Sequence, residues 1–227
     1  KLPGVKGGGI RVALVIDDIG AYDIGVRDLD ALGIPITGSV LFDAPHALAQ
    51  VRTSVSQRVQ LMIHMPMEPK GGATGYDPRG AIRIGSSANE IRHLMARARS
   101  LLPRARGLNN HQGSRVTADR EQMRLVLDEV RRQGLFFLDS RTDSDSIGAS
   151  LAHEMGVPAL SRDIFLDHVR DYAHVRQQLR LLLELARRQG SALAIGHPFP
   201  ETMRAIADSR KEFDEAGVRW CWPQDLL

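Results

Sequence analysis

The sequence predicts an α/β fold built on a parallel sheet. Three observations predict it. Short runs rich in β-branched residues alternate with longer stretches of helical periodicity, about eight times over. Several helical stretches carry caps and stops where a helix needs them. Charged or metal-binding residues recur just past the strand-like runs, the edge where active sites assemble in barrels and open α/β sheets.

Taken in order, strands are predicted over 11–16 (RVALVI), 36–42 (ITGSVLF), 59–64 (VQLMIH) and 107–110 (GLNN). Further strands follow at 135–138 (LFFL), 158–161 (PALS), 191–196 (SALAIG) and 217–221 (GVRWC). Between them, SANEIRHLMARARSLL opens with Ser87 as N-cap and Glu90 three residues on, a capping box. TADREQMRLVLDEVRRQG runs from a cap at Thr117 to a stop at Gly134, and DYAHVRQQLRLLLELARRQG from Asp171 to Gly190. The stretch 65–86 reads as one long irregular loop, of the kind that usually serves function. An open doubly wound sheet and a (β/α) barrel both satisfy this pattern. No composition break divides the chain, so one domain over 10–227 is expected, behind a flexible glycine-rich segment 1–9.

Composition narrows the function classes. With 43% hydrophobic and 25% charged residues, the chain can form an ordinary globular core. Cys221 is the only cysteine, so no intrachain disulfide is possible. The net charge of +3 comes mostly from arginines spread over helices and loops, and aromatics make up only 5%. That argues against nucleic-acid binding, which asks for a clustered basic stripe. No apolar run approaches the ~20 residues of a membrane span. Neither G-x-G-x-x-G nor G-x-x-x-x-G-K-S/T follows the first strand, so the usual nucleotide-binding marks are missing.

The reactive residues fall at strand ends. Asp17 and Asp18 end the first strand and His64 the third; His111 and Asp139 follow the fourth and fifth; Arg162 and Asp163 follow the sixth, and His197 the seventh. Two adjacent acids can divide labour, one ligating a cation and the other free as a base. Asp18, His64 and His111 would make a two-nitrogen, one-oxygen site with open positions, the catalytic arrangement for zinc. His46, His93, His153 and His174 fall in helical stretches and read as surface residues, whereas His168 could line a cleft.

The motifs VIDDIG, HMPMEP (64–69), GLNNHQGS (107–114), FLDSRT (137–142), RDIFLD (162–167) and AIGH (194–197) resemble the divergent polysaccharide deacetylase family, a distant branch of the carbohydrate esterase family 4 type. The resemblance runs from about residue 10 to the C-terminus. It implies a distorted (β/α) barrel of about seven strands and a divalent metal, usually Zn2+. It implies hydrolysis of N-acetyl groups on a glycan, such as peptidoglycan or another acetylated envelope polysaccharide, and hence a periplasmic or secreted location. By the same resemblance Asp17 is the general base, Asp18 a metal ligand and His197 the general acid. An acid earlier in the chain orients that histidine; Asp139 is the candidate, with Asp163 second. The family's H-x-x-x-H is altered here, since Glu68 stands four residues after His64. His111 is therefore the expected third ligand, with Glu68 as fallback. NNHQGSR replaces the usual arginine–proline motif, and Asn110, Ser114, Arg115 and Arg162 are expected around the substrate.

Overall fold

The computed structural model describes residues 9–52, 56–72 and 80–227. The segment 1–9 expected to be flexible lies, but for Gly9, outside the described residues. The first strand, β1 (Arg11–Ile19), is buried along nearly its whole length, as a continuous apolar run in a parallel sheet should be. It is followed by α1 (Val26–Ala31), β2 (Ile36–Leu41), α2 (Ala47–Arg52), β3 (Val59–Met67), α3 (Ala88–Leu101) and β4 (Gly107–Gln112). Then come α4 (Arg120–Arg132), β5 (Phe136–Asp139), α5 (Gly148–Glu154), β6 (Ala159–Ser161), β7 (Ile164–Phe165), α6 (Tyr172–Gln189), β8 (Ser191–Gly196), α7 (Pro200–Glu215) and β9 (Arg219–Cys221).

All pairings are parallel, in the order β6-β5-β4-β3-β2-β1-β8-β7, with β9 paired to the start of β1. The two ends of this path, β6 and β7, are successive in the chain, so the sheet curls round into a distorted (β/α) barrel. No ladder joins β6 to β7 among the described residues. Only Arg162 and Asp163 span that seam. The Arg162 amide donates to the Asp139 carbonyl at 3.0 Å, and the Asp163 amide to the Leu193 carbonyl at 2.9 Å.

Side chains alternate between the barrel's interior and its helical coat. Ala13, Val15, Met62, Phe136, Leu138, Leu193, Ile195 and Cys221 form the inner layer. Their neighbours, such as Leu14, Ile63, Phe137 and Ala194, pack outward in one cluster with Ile91 and Met95 of α3, Val126 of α4 and Leu182 of α6. Truncating a fully buried side chain such as Leu14 would cost roughly 2–5 kcal/mol.

Expected boundaries hold with specific exceptions. Ser87 and Glu90 form the capping box at α3, and Gly190 ends α6 in the left-handed region at φ 85°. Thr117 is not the cap of α4; it is buried in the preceding turn, and the Asp119 side chain accepts from the Gln122 amide instead. His46 sits in the turn before α2 rather than on it. The stretch expected to be irregular from residue 65 begins as strand, because β3 continues to Met67, which bridges Ile82. The two-residue β7 is too short to leave a periodic signal.

Candidate metal centre and active site

Adjacent side chains on a regular strand point to opposite faces. Asp17 and Asp18 escape that rule because β1 bulges. Its register against β2 slips by one residue between Ile16 and Ile19, and Asp18 takes a left-handed φ of 59°. Both carboxylates end up buried, at 3% and 9% exposure. Gly20 completes the turn at φ 98°, where an added Cβ would meet the Cα and Cβ of Ala47 at 2.9 Å.

Three side chains converge there from three strands. Asp18 Oδ1 lies 3.2 Å from His64 Nε2 and 2.9 Å from His111 Nδ1, and those two ring nitrogens are 3.3 Å apart. Among the described residues these three form the group whose ligand atoms could hold a metal ion.

The hydrogen bonding around them suits a cation. His64 Nδ1 lies 2.8 Å from Asn109 Oδ1. The Asn109 amide nitrogen donates to Asp17 Oδ1 at 2.8 Å and to Ser140 Oγ at 3.0 Å, so its oxygen must face His64. His64 Nδ1 is therefore the donor, and in the neutral ring Nε2 presents a lone pair to Asp18. Asp18 Oδ1 is buried and accepts no well-formed hydrogen bond among the described residues. A carboxylate oxygen and imidazole nitrogens aimed at one point are an arrangement that a divalent cation resolves. Asn109 orients His64 from behind, as partners of metal-ligating histidines do, and Ser39 Oγ donates to the same amide oxygen.

Protonation follows the same field. Burial opposes ionisation of Asp18, but the adjoining rings of His111 and His64 outweigh it and hold the carboxyl far below its usual range. Burial also opposes charge on His64, yet the Asp17 charge and the Asp18 hydrogen bond raise its pKa. In Asp17 burial wins: its pKa lies above the ordinary carboxylate value despite the charges of His64 and His197 and the Asn109 hydrogen bond. A raised carboxyl beside a cation pocket suits a base.

His197, at the end of β8, faces this group, with Nε2 3.9 Å from Asp18 Oδ2. Asp167 holds it. Asp167 Oδ1 accepts from His197 Nδ1 at 2.9 Å, and Oδ2 accepts from the His197 amide at 2.6 Å and from Thr202 Oγ1 at 2.7 Å. Burial works against a charged ring, but the Asp167 hydrogen bond and charge prevail and raise His197 to about 9.

Asp167 thus takes the orienting position expected of Asp139 or Asp163, and both expectations are corrected. Asp139 falls out of phase with the inward residues Phe136 and Leu138. Its carboxylate accepts instead from the Arg141 amide at 2.8 Å, Ser146 Oγ at 2.7 Å and the Ala149 amide at 3.2 Å. Asp163 sits in the seam, where Oδ2 accepts from the Leu193 amide at 2.8 Å. Glu68, the fallback ligand, is not in the metal group. It accepts from the Ile84 amide at 2.9 Å and pairs with Arg115. Ser114 Oγ accepts from the Lys70 amide at 2.9 Å, so Ser114 and Arg115 tie the segment after β3 to that after β4. Asn110 braces two strand ends, donating to the Gln112 carbonyl at 2.7 Å and accepting from the Ser140 amide at 2.9 Å.

A cleft of about 150 Å³ opens beside His111, lined in part by Met67, Glu68, Arg83 and Gln112. A larger groove of about 970 Å³ lies at the opposite, amino-terminal ends of the strands, near Val59, Arg106 and Trp222, away from the acids and histidines. His168 Nδ1 and His174 Nε2 meet at 3.3 Å on the surface, outside the buried group.

Residues 14–227 match the family model described as divergent polysaccharide deacetylase. An uncharacterized protein of Haemophilus influenzae is 35% identical over 205 residues, covering 90% of this chain and 72% of the relative. The uncharacterized protein YibQ of Escherichia coli K12 is 34% identical over 198 residues, covering 86% of this chain but only 61% of YibQ. Among solved structures, the uncharacterized ATU2773 of Agrobacterium tumefaciens C58 superimposes with a TM-score of 0.87 at 22% identity, covering 99% of this chain and 92% of the other. A T48 deacetylase with substrate gives 0.60 at 14% identity, covering 96% and 90%. The pseudoenzyme BA3943 of Bacillus anthracis, of the CE4 family, gives 0.57 at 12% identity, covering 96% and 65%. At such identities the structural matches establish a shared fold, one that carries active and inactive members. With the family model matching nearly the whole length, the chain belongs to the divergent polysaccharide deacetylase family.

Proposed function

We propose that the protein is a metal-dependent hydrolase that removes acetyl groups from N-acetylated sugars of an envelope glycan, peptidoglycan or another acetylated polysaccharide. The observation that carries this reading is the convergence of Asp18, His64 and His111 on one point, with Asp17 beside it and His197 opposite. Asp18, His64 and His111 would hold the ion, and their donor set favours zinc. When bound, such an ion supplies Lewis acidity, polarising the acetamide carbonyl and easing ionisation of water. Asp17, whose pKa is raised by burial, takes the proton of the water that attacks the carbonyl carbon. The C–N bond then breaks. His197, kept charged by Asp167, gives its Nε2 proton to the departing amine. A periplasmic or secreted location fits an envelope glycan as substrate.

One observation favours a second reading, a glycan-binding protein without turnover. Glu68 occupies the position of the second histidine of H-x-x-x-H and is engaged by Arg115 and the Ile84 amide, so the ligand set departs from the usual motif. Metal analysis of wild type and of Asp18→Ala, His64→Ala and His111→Ala, with acetate release from N-acetylated oligosaccharides and peptidoglycan, separates the two. About one zinc per chain, lost in each variant, with chelator-sensitive acetate release, is the expected result. Glycan binding that survives chelation, without acetate release, would establish the second reading.

A further inference from the structure

Arg162 is a fixed and unpaired cation beside the reacting groups. Its Nε donates to the Ser140 carbonyl at 2.7 Å and its Nη2 to the Arg141 carbonyl at 2.8 Å. The guanidinium lies 4.7 Å over the Phe165 ring, and that ring is 5.6 Å from the ring of His197. Two of the five N–H groups of an arginine are thereby engaged, and the remainder, including both on Nη1, are free. No carboxylate lies within 4.0 Å of it among the described residues.

A second arginine stands next to it. Arg141 holds a left-handed φ of 47°, and its side chain is exposed and without a carboxylate partner among the described residues. Burial works against a charged Arg162; the charge of Asp17 favours it from beyond contact distance, that of Arg141 opposes it, and that of Asp139 adds a smaller favourable share. A half-buried cation with no carboxylate in contact is costly, and a second cation beside it raises the cost. A guanidinium held flat and rigid presents its free edge to a planar anion, and carboxylate matches that edge.

We infer that Arg162, assisted by Arg141, anchors a carboxylate carried by the substrate, so that the glycan taken is an acidic one. The inference rests on the deacetylase reading for the sugar, but its test is binding, which turnover does not enter.

Affinities for N-acetylmuramic acid, N-acetylglucosamine and lactate are measured by titration calorimetry on wild type, Arg162→Gln and Arg141→Gln. These probes are the acetylated sugar with a carboxylate, the same sugar without it, and the carboxylate alone. Wild type should prefer N-acetylmuramic acid over N-acetylglucosamine by about tenfold, a charge-assisted hydrogen bond's worth of discrimination. The preference should vanish in Arg162→Gln and shrink in Arg141→Gln, whose exposed side chain makes it a safe variant for folding. It should also shrink in high salt. Equal affinity for the two sugars, no binding of either at millimolar concentration, or a preference untouched by Arg162→Gln would overturn the inference. The last outcome would leave Arg162 acting only on Asp17. Lactate binding as tightly as N-acetylmuramic acid would also overturn it, since the site would then take a free anion rather than a glycan. Acetate release without a carboxylate preference would remove the inference and leave the hydrolase. The preference without acetate release would do the reverse.

Discussion

His197 and Asp167 are bound to each other twice, ring Nδ1 to Oδ1 at 2.9 Å and backbone amide to Oδ2 at 2.6 Å. The second contact fixes where the carboxylate sits, and the first uses it to hold a proton on the ring. Asp167→Asn should therefore lower the His197 midpoint from about 9 toward the ordinary ~6.5. The sign follows from the raised pKa: the folded state binds this proton more tightly than the unfolded chain. The stabilisation is complete below ~6.5 and is lost as pH rises through about 9. NMR titration of the His197 ring in chelator-treated protein reads the midpoint. An unchanged midpoint in the variant would assign the proton's retention to Asp17 and Asp18 instead.

Asn109 touches both halves of the site, Asp17 through its amide nitrogen and His64 through its oxygen. Asn109→Ala leaves His64 Nδ1, Asp17 Oδ1 and Ser39 Oγ short of a partner in a buried setting. A loss of about 2–4 kcal/mol in denaturant unfolding is expected. Metal affinity should drop by about 10–100-fold in competition with a chromophoric chelator, as when the partner of a ligating histidine is removed. Unaltered affinity would show that the strands alone set the ring of His64.

Asp17→Asn keeps the shape of the side chain but removes the carboxylate proposed as the base. Metal content should stay at the wild-type level, while acetate release falls by ~10²-fold or more. Loss of the metal together with activity would make Asp17 a ligand rather than a base.

Cys221 lies in the barrel's inner layer, where burial, with the charge of Asp225, pushes its thiol up to about 11. At pH 8 the native protein should react with a thiol-exchanging disulfide reagent at least ~10²-fold more slowly than the unfolded chain. Rapid native modification would mean that the inner layer opens at the foot of β1 and β9.

Much of this was legible in the residues. Asp18, His64 and His197 could be placed because each ends an apolar run, and His111 because it follows the short strand GLNN; a parallel sheet gathers such ends on one edge. Asn109 was missed in favour of Asn110. The signal existed, since Asn109 shares strand phase with His111 and Asn110 does not, but a neutral amide draws no attention beside charged groups. Asp167 was missed for a different reason. It ends RDIFLD, a stretch whose only strand is the two-residue β7, so no periodicity marks its direction. Asp139 had the better strand-end position and the wrong phase. The bulge at Asp17–Asp18 has no marker except Gly20, because pairing register belongs to two strands at once.

The seam between β6 and β7 sets the bore of the molecule. Elsewhere, neighbouring strands are spaced by ladders of hydrogen bonds, which a change of sequence rarely alters. At the seam, the gap is spanned by the peptide links of Arg162 and Asp163. One short link thus joins the two ends of the curled sheet. A one-residue insertion or deletion there would shift β7 against β8 and so displace Asp167, and with it the ring of His197, from the acids opposite. The length of that link is thus a lever on the geometry of the histidine at the end of β8.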